Sequence, residues 1–318
     1  MCVFLPTMVV SAVFWYSEAS MFQKRYMIIA LLLTALVVCF VYGVLSTRDR
    51  ALVFESPQTL HVGDREREYR VYAPSSEDPQ PLVIALHGYR SDRSKSIEFY
   101  SGLSNLAIEK HFIAVYPYGI ENSWNGGFCC GTSFEKNIDD VAFMRALVTE
   151  LSQTYQIDQH KIYVVGMSNG GVMAQRLLAE MPDVFAAGVA VMSGVGDKDA
   201  VLDISGARAP LMLVNGTRDQ YVPLARGTVS TSDGYMFLSV SETKEMWARQ
   251  YGVEQVLYEH YGGFETYWYG NAEFPQLVSR IYPTSHRWPK WRFTHPFTMV
   301  PAVTRDIWTF LSSRSLSK

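Results

Sequence analysis

Gly166-Met167-Ser168-Asn169-Gly170 is the run best equipped to do chemistry, a G-x-S-x-G sequence directly after the apolar stretch Lys161-Ile162-Tyr163-Val164-Val165. It leads through Gly171 into a helical run over 172–181. A serine between a buried strand and a helix start sits on a tight turn with its hydroxyl exposed, and small flanking residues let the backbone make that turn without clashes. The first N–H groups of the helix have no intrahelical acceptors and can meet a developing oxyanion. The chemistry predicted is nucleophilic attack on a carbonyl by Ser168. The motif also recurs by chance, and its bland reading is a Gly-rich turn that only packs.

Such a serine needs a base and an acid, in chain order Ser, Asp or Glu, His. The apolar run 211–214 ends in Asn215-Gly216-Thr217-Arg218-Asp219, which places Asp219 on a loop past a strand end. There a carboxylate can accept an imidazole N–H and fix its tautomer, although Asp is also common in plain surface turns. Glu254 is a poorer rival. Three histidines follow: His260 within the strand pattern 256–261, His286 just after the strand 277–282, and His295 before Pro296. The position after the last strand and before the final helix selects His286 as the base, with His295 as the fallback. The expected oxyanion donors are the N–H of Asn169 and the N–H of Tyr89 in the loop His87-Gly88-Tyr89, with His87 orienting that loop.

These residues must be positioned by strands and helices in alternation. Continuous apolar runs at 82–86, 112–116, 162–165, 186–192 and 211–214 read as strands buried on both faces of a parallel sheet. Helical patterns fall at 96–110, 139–155, 172–181, 241–251 and 303–312, and extended segments at 52–62 and 68–72 lie toward an edge. The fold class is α/β, a mostly parallel central sheet flanked by helices, with ligands at the carboxyl ends of the strands. Asp139 and Asp140 open a helix, where N-capping and the helix dipole account for them better than catalysis does.

The net charge is −3 with no basic cluster, which argues against nucleic acid as a partner. Residues 27–45 carry no charge and are about long enough to cross a bilayer. Lys24 and Arg25 precede them, and Gly43-Val44-Leu45-Ser46 is a poor cleavage site, so an uncleaved signal anchor is preferred to a cleaved signal. Met21 is an alternative start that would leave a usual basic leader. The expected location is extracytoplasmic, membrane-anchored or secreted. Of four cysteines, Cys129 and Cys130 fall outside the leader; no spacing suggests a zinc site, and the pair could be a vicinal disulfide or two thiols.

Several motifs then follow in order: LVIALHGY (82–89), YPYG (116–119), SWNGGFCCG (123–131), DDVAF (139–143), DQHKIYVVGMSNGGVMAQRL (158–177), NGTRDQYVP (215–223) and HRWP (286–289). Together they resemble the polyhydroxybutyrate-depolymerase-like esterases, the group that includes feruloyl and acetylxylan esterases. The resemblance spans nearly all of 68–311. It implies an α/β-hydrolase fold, secretion, serine carboxylic-ester hydrolysis, and Ser168, Asp219 and His286 as the triad. Where the family has a Gly-rich run before the histidine, this chain has Pro283-Thr284-Ser285, which leaves the substrate subsite open.

The expected organisation is a leader at 1–26, a transmembrane or signal-anchor helix at 27–45, and an α/β-hydrolase catalytic domain at 50–318. No metal or organic cofactor is implied, and the expected partners are an ester substrate (a small molecule, a polyester or a polysaccharide-linked ester) and a membrane. The aromatics Tyr267, Trp268, Tyr269, Phe274, Trp288, Trp291 and Phe293 either fill core space or line a cleft for sugar or phenolic rings. In the second reading Trp288 is a substrate platform and Trp124 stands on its far side. Two alternatives remain: a serine peptidase of the same fold, and a non-catalytic relative that binds polysaccharide or polyester.

Overall fold

The computed structural model describes residues 25–26, 28–34, 56–91, 97–197, 202–225, 229–230, 234–261, 263–289 and 301–316. The chain divides into two units, Met1–Val53 and Phe54–Lys318. In the first, residues 25–26 and 28–34 are helical, and the rest of the 27–45 segment lies outside the described residues. Among the described residues, no helix is long and apolar enough to cross a membrane.

The second unit opens with β1 (Gln58–Val62) and β2 (Arg65–Tyr72), an antiparallel pair. In β2, Tyr69 and Val71 are buried while alternate residues are partly exposed, as expected for a strand near a sheet edge. Then come β3 (Gln80–Leu86), the helices α1 (Ile97–Ser101) and α2 (Leu103–Lys110), and β4 (Ile113–Pro117). A short helix α3 (Gly131–Glu135) precedes the long α4 (Asp140–Thr154), followed by β5 (Ile157–Met167), α5 (Asn169–Glu180), β6 (Ala187–Val191) and β7 (Leu211–Gly216). A two-stranded ribbon, β8 (Val229–Ser230) and β9 (Met236–Phe237), leads to α6 (Val240–Tyr251). The chain finishes with β10 (Gln255–Tyr261), β11 (Phe264–Gly270), β12 (Pro275–Tyr282) and α7 (Ala302–Ser312).

Ten strands form one sheet in the order β1-β2-β4-β3-β5-β6-β7-β12-β11-β10. The six from β4 to β12 run parallel, and antiparallel strands flank them on both sides. Hydrophobic runs make the centre: β4, β6 and β7 are buried along their whole length. Alternate side chains leave opposite faces. Leu82, Ile84, Leu86, Ile162 and Val164 pack with Phe143, Leu147 and Leu151 of α4, Met173 and Leu177 of α5, and Trp247 of α6. Val83, Ala85, Tyr163 and Val165 pack with Leu106 of α2 and Ile307 and Leu311 of α7. The chain moves outward from β3 to β4, then returns to the other side of β3 as β5. That reversal opens a crevice at the carboxyl ends of β3 and β5, where loops meet without a crossover helix between them.

Three expectations change. The helix expected over 96–110 breaks at Gly102, whose φ of 70° is left-handed, into α1 and α2. The aromatic run at 264–270 is a strand, β11, which joins β10 to β12; its mixed apolar and polar residues hid the period. Asp139 caps α4 by accepting the N–H of Ala142 at 2.8 Å, but Asp140 does more than cap. Its carboxylate, fully buried, accepts Arg67 at 2.7 Å through one oxygen and the N–H of Asn125 at 2.7 Å through the other. Burial pushes the Asp140 carboxyl up and the Arg67 guanidinium down, and the attraction between them opposes both shifts.

Removing one partner of such a pair leaves the other as an uncompensated buried charge. Asp140→Ala should therefore lose about 3–5 kcal/mol in urea unfolding. The double substitution Arg67→Met, Asp140→Leu should recover most of that loss. A single variant within about 1 kcal/mol of wild type would show that the pair does not hold β2 to the 124–125 loop.

Candidate active site

Ser168 sits between β5 and α5 with φ 55° and ψ −120°, a backbone conformation that side chains rarely adopt. The surrounding glycines permit it. A Cβ at Gly166 would run into the Gly170 carbonyl, and one at Gly170 would strike the carbonyls of Leu86 and His87. The turn is pinned by the Ser168 N–H, which donates to the Val191 carbonyl at 2.8 Å, and by the Ser168 carbonyl, which accepts the N–H groups of Gly171 and Val172. The hydroxyl is thereby held out at the sheet's carboxyl edge.

The structure brings Ser168, His286 and Asp219 together. Ser168 Oγ lies 2.9 Å from His286 Nε2, and His286 Nδ1 lies 2.8 Å from Asp219 Oδ2. His286 stands on the loop after β12, and Asp219 on the loop after β7; the two strands are adjacent and parallel. The carboxylate of Asp219 is fully buried, and its second oxygen accepts the N–H groups of Tyr221 at 2.8 Å and Val222 at 3.1 Å. Those bonds fix the carboxylate, so the imidazole Nδ1 carries the proton and Nε2 accepts from the serine hydroxyl. His260 lies on exposed β10, away from this cluster, and His295 lies outside the described residues.

The β3 loop supplies the other wall. His87 is buried, its pKa lowered to about 4 by desolvation. The neutral ring donates Nδ1–H to the Gly88 carbonyl at 2.8 Å and accepts the Gly119 N–H on Nε2 at 2.9 Å. A Cβ at Gly88 would lie 3.4 Å from the Ser168 Cβ, so Tyr89 follows immediately beside the nucleophile. The Asn169 N–H, at the first position of α5, has no intrahelical acceptor. The Asn169 side chain accepts the Trp124 N–H at 2.8 Å and donates to the carbonyls of Trp124 at 2.9 Å and Cys129 at 3.3 Å. Cys129 and Cys130 are joined as a vicinal disulfide across a cis peptide.

Of the two tryptophans expected to bind substrate, Trp124 is packed in the core, and Trp288 is largely packed but still lines a cavity beside His286. Trp124 is fully buried and donates its indole N–H to the His87 carbonyl at 3.0 Å, so it props the β3 loop from beneath. Trp288 is 3% exposed and donates to Thr304 Oγ1 at 3.1 Å, because the loop after His286 dives against α7. Trp268 and Tyr269 likewise pack against the cores, and Tyr267 lies under Lys244. Trp291 and Phe293 lie outside the described residues.

The rings around Ser168 are different ones. A cavity of about 270 Å³ is lined by Ser168, His286, Tyr89, Tyr221, Tyr235 and Phe237, with Arg90 and Cys130 at its wall. Tyr221 meets the His286 ring edge-on at 4.8 Å. Tyr221 was legible, two residues after Asp219 on the same loop. Tyr235 and Phe237 arrive from the β8–β9 ribbon, and no local pattern marks them. On the other side of His286 a second cavity, about 850 Å³, runs between the loops after β7 and β12. Among the described residues no group of three His, Cys, Asp or Glu side chains could hold a metal ion.

Members of a triad act as a unit. His286→Ala should cut kcat on a small ester by roughly four to six orders of magnitude, whereas His260→Ala should stay within about twofold of wild type. Silence of the His260 variant with survival of the His286 variant would reassign the base.

A model of the Prolyl oligopeptidase family matches residues 135–200, about a fifth of the chain. NocK of Nocardia uniformis subsp. tsuyamanensis, provisionally named an esterase, is 27% identical over 78% of this chain and 78% of its own length. Poly(3-hydroxyalkanoate) depolymerase C of Paucimonas lemoignei is 28% identical over 62% of this chain, and the matched part is about half, 52%, of the depolymerase. Among solved structures, an acetyl xylan esterase from Aspergillus awamori superposes with a TM-score of 0.58 at 17% identity, covering 81% of this chain and 99% of that one. The structural likeness establishes the α/β-hydrolase fold, and the sequence likenesses establish relatives named for ester hydrolysis. The chain is a homologue of carboxylic-ester hydrolases, built on the α/β-hydrolase fold.

Proposed function

We propose that this chain hydrolyses carboxylic esters through Ser168, His286 and Asp219. The observation that carries the reading is the continuous pair of hydrogen bonds from Ser168 Oγ through the His286 ring to a buried Asp219 carboxylate. Ser168 Oγ attacks the ester carbonyl carbon while His286 Nε2 takes the hydroxyl proton. The carbonyl oxygen becomes an oxyanion facing the N–H groups of Asn169 and Tyr89. The C–O bond to the alcohol then breaks, and His286 returns its proton to the leaving oxygen. Water attacks the acyl-serine, again giving a proton to His286, and collapse releases the acid and restores the Ser168 hydroxyl. The sum is ester plus water to acid plus alcohol.

A serine peptidase of the same fold is the second reading, favoured by the Prolyl oligopeptidase match. That match contains Ser168 but neither Asp219 nor His286, so it covers the strand, turn and helix that the two classes share. A homologue that only binds polymer would have no need of a polarised serine. In this account the uncharged segment 27–45 anchors the enzyme in a membrane, or is removed on secretion, and the catalytic unit faces away from the cytoplasm.

Ser168→Ala should lower kcat on p-nitrophenyl acetate by about a million-fold, as when the serine of other triads is removed, with an unchanged circular dichroism spectrum. Hydrolysis of peptide anilides at rates equal to esters would instead favour the peptidase. For the anchor, the full chain should remain with membranes through a carbonate wash and be cut by protease added from the extracytoplasmic side. A catalytic unit protected inside the cytoplasm would refute both anchored and secreted versions.

A further inference from the structure

The two cavities that flank His286 are not equivalent. Ser168 and Tyr89 line the smaller one, so the carbonyl carbon bonded to Oγ, and the acyl group it carries, belong there. The leaving oxygen must lie against His286 Nε2 to be protonated. The larger cavity reaches His286 but not Ser168, which makes it the space into which the alcohol extends.

Its charged side chains are Arg218 and Arg287, and no Asp or Glu lines it among the described residues. The chain as a whole is acidic, with 31 Asp and Glu against 28 Lys and Arg, so this local excess of positive charge runs against the average. Several other arginines meet carboxylates, Arg67 with Asp140, Arg145 with Asp183, Arg176 with Glu180, Arg280 with Asp306 and Arg305 with Glu109, while Arg208 and Arg314 donate to backbone carbonyls. Among the described residues neither Arg218 nor Arg287 has such a partner. Arg218 donates one nitrogen to the Pro283 carbonyl, which leaves most of its five N–H groups available. Asp219 is adjacent in sequence, but its carboxylate is buried and spent on His286, Tyr221 and Val222.

Both arginines are exposed, and both are rooted in one knot of backbone. The Arg218 N–H donates to the Thr284 carbonyl at 3.0 Å and the Arg287 N–H to the Ser285 carbonyl at 2.7 Å. Tyr100, Tyr282 and Trp288 add aromatic wall to the same cavity. A planar guanidinium fork matches a carboxylate, and a cavity of one sign concentrates the opposite ion.

Resting on the ester-hydrolase reading, we propose that the larger cavity is a subsite for a carboxylate on the alcohol. The favoured substrates are then esters whose alcohol carries a free carboxylate, which Arg218 and Arg287 hold while the alcohol oxygen leaves beside His286.

The test compares acetoxyacetate with its neutral isostere acetoxyacetamide, using p-nitrophenyl acetate as the reference ester. Each kcat/KM is divided by that ester's rate constant for uncatalysed hydrolysis by neutral water at the same ionic strength, which removes leaving-group differences without the anion–anion repulsion of a hydroxide reference. At low ionic strength the anion should be favoured about tenfold, and roughly 0.5 M NaCl should erase most of that preference, because exposed charges are screened. This salt series needs no variant. In Arg218→Gln/Arg287→Gln the ratio should fall to about one, and the corresponding Lys pair should keep part of it. A wild-type ratio at or below one, with acetoxyacetamide and p-nitrophenyl acetate still hydrolysed, would overturn the subsite and leave the esterase standing. A preference that survives both salt and the Gln pair would overturn it as well. Failure of the folded wild type on all three esters would overturn the esterase reading and the subsite together.

Discussion

The constraint on which the rest depends is the left-handed backbone of Ser168. A non-glycine residue held at φ 55° costs on the order of 1–3 kcal/mol and persists only where its surroundings over-determine it. Here they do. The Val191 carbonyl takes its N–H, α5 begins on the next residue, and α5 approaches β3 so closely that Gly170 touches the carbonyls of Leu86 and His87. That contact sets the distance between the nucleophile and the loop carrying Tyr89. It also leaves no room for a side chain at Gly166 or Gly170.

Around that turn, polar groups act as struts rather than as reactants. Asn169 faces two ways: its backbone N–H, at the first position of α5, has no intrahelical acceptor, while its side chain carries the backbone of Trp124 and Cys129. Trp124 in turn supports the His87 carbonyl, and Asp140 holds the next residue, Asn125, from the far side through its pair with Arg67. A single connected network therefore runs from β2 through the 124–130 loop to the nucleophile turn. On the other flank, the parallel pairing of β7 with β12 brings the Asp219 and His286 loops side by side. Precision at the site comes from rigid strands, and the loops add only the last few ångströms.

The strands and the nucleophile turn were legible because their signals are local and redundant. Continuous apolar runs such as 82–86 and 211–214 read as central strands; Ser168 and Asp219 each follow such a run, and His286 follows the mixed strand 277–282, in the order the fold requires. What stayed hidden depended on tertiary partners. A buried Asp140 looks like any helix-capping acid until Arg67 is seen across 73 residues. Trp124 and Trp288 were attractive as platforms because tryptophan near a candidate catalytic residue is ambiguous; the His87 carbonyl decides for packing at Trp124, whereas Trp288, held by Thr304, still lines the larger cavity. Phe237 reaches the pocket from a two-residue strand, and Tyr235 from the residue just before it, which no periodicity could announce.

The central claim is that Ser168 is made nucleophilic by its place in this network. Labelling of the folded protein with a fluorophosphonate, followed by peptide mass mapping, tests it most directly. A single adduct is expected on the peptide containing Ser168, formed fast in wild type and far more slowly when His286 is replaced by Ala. An adduct on another serine, or equal labelling with and without His286, would contradict it.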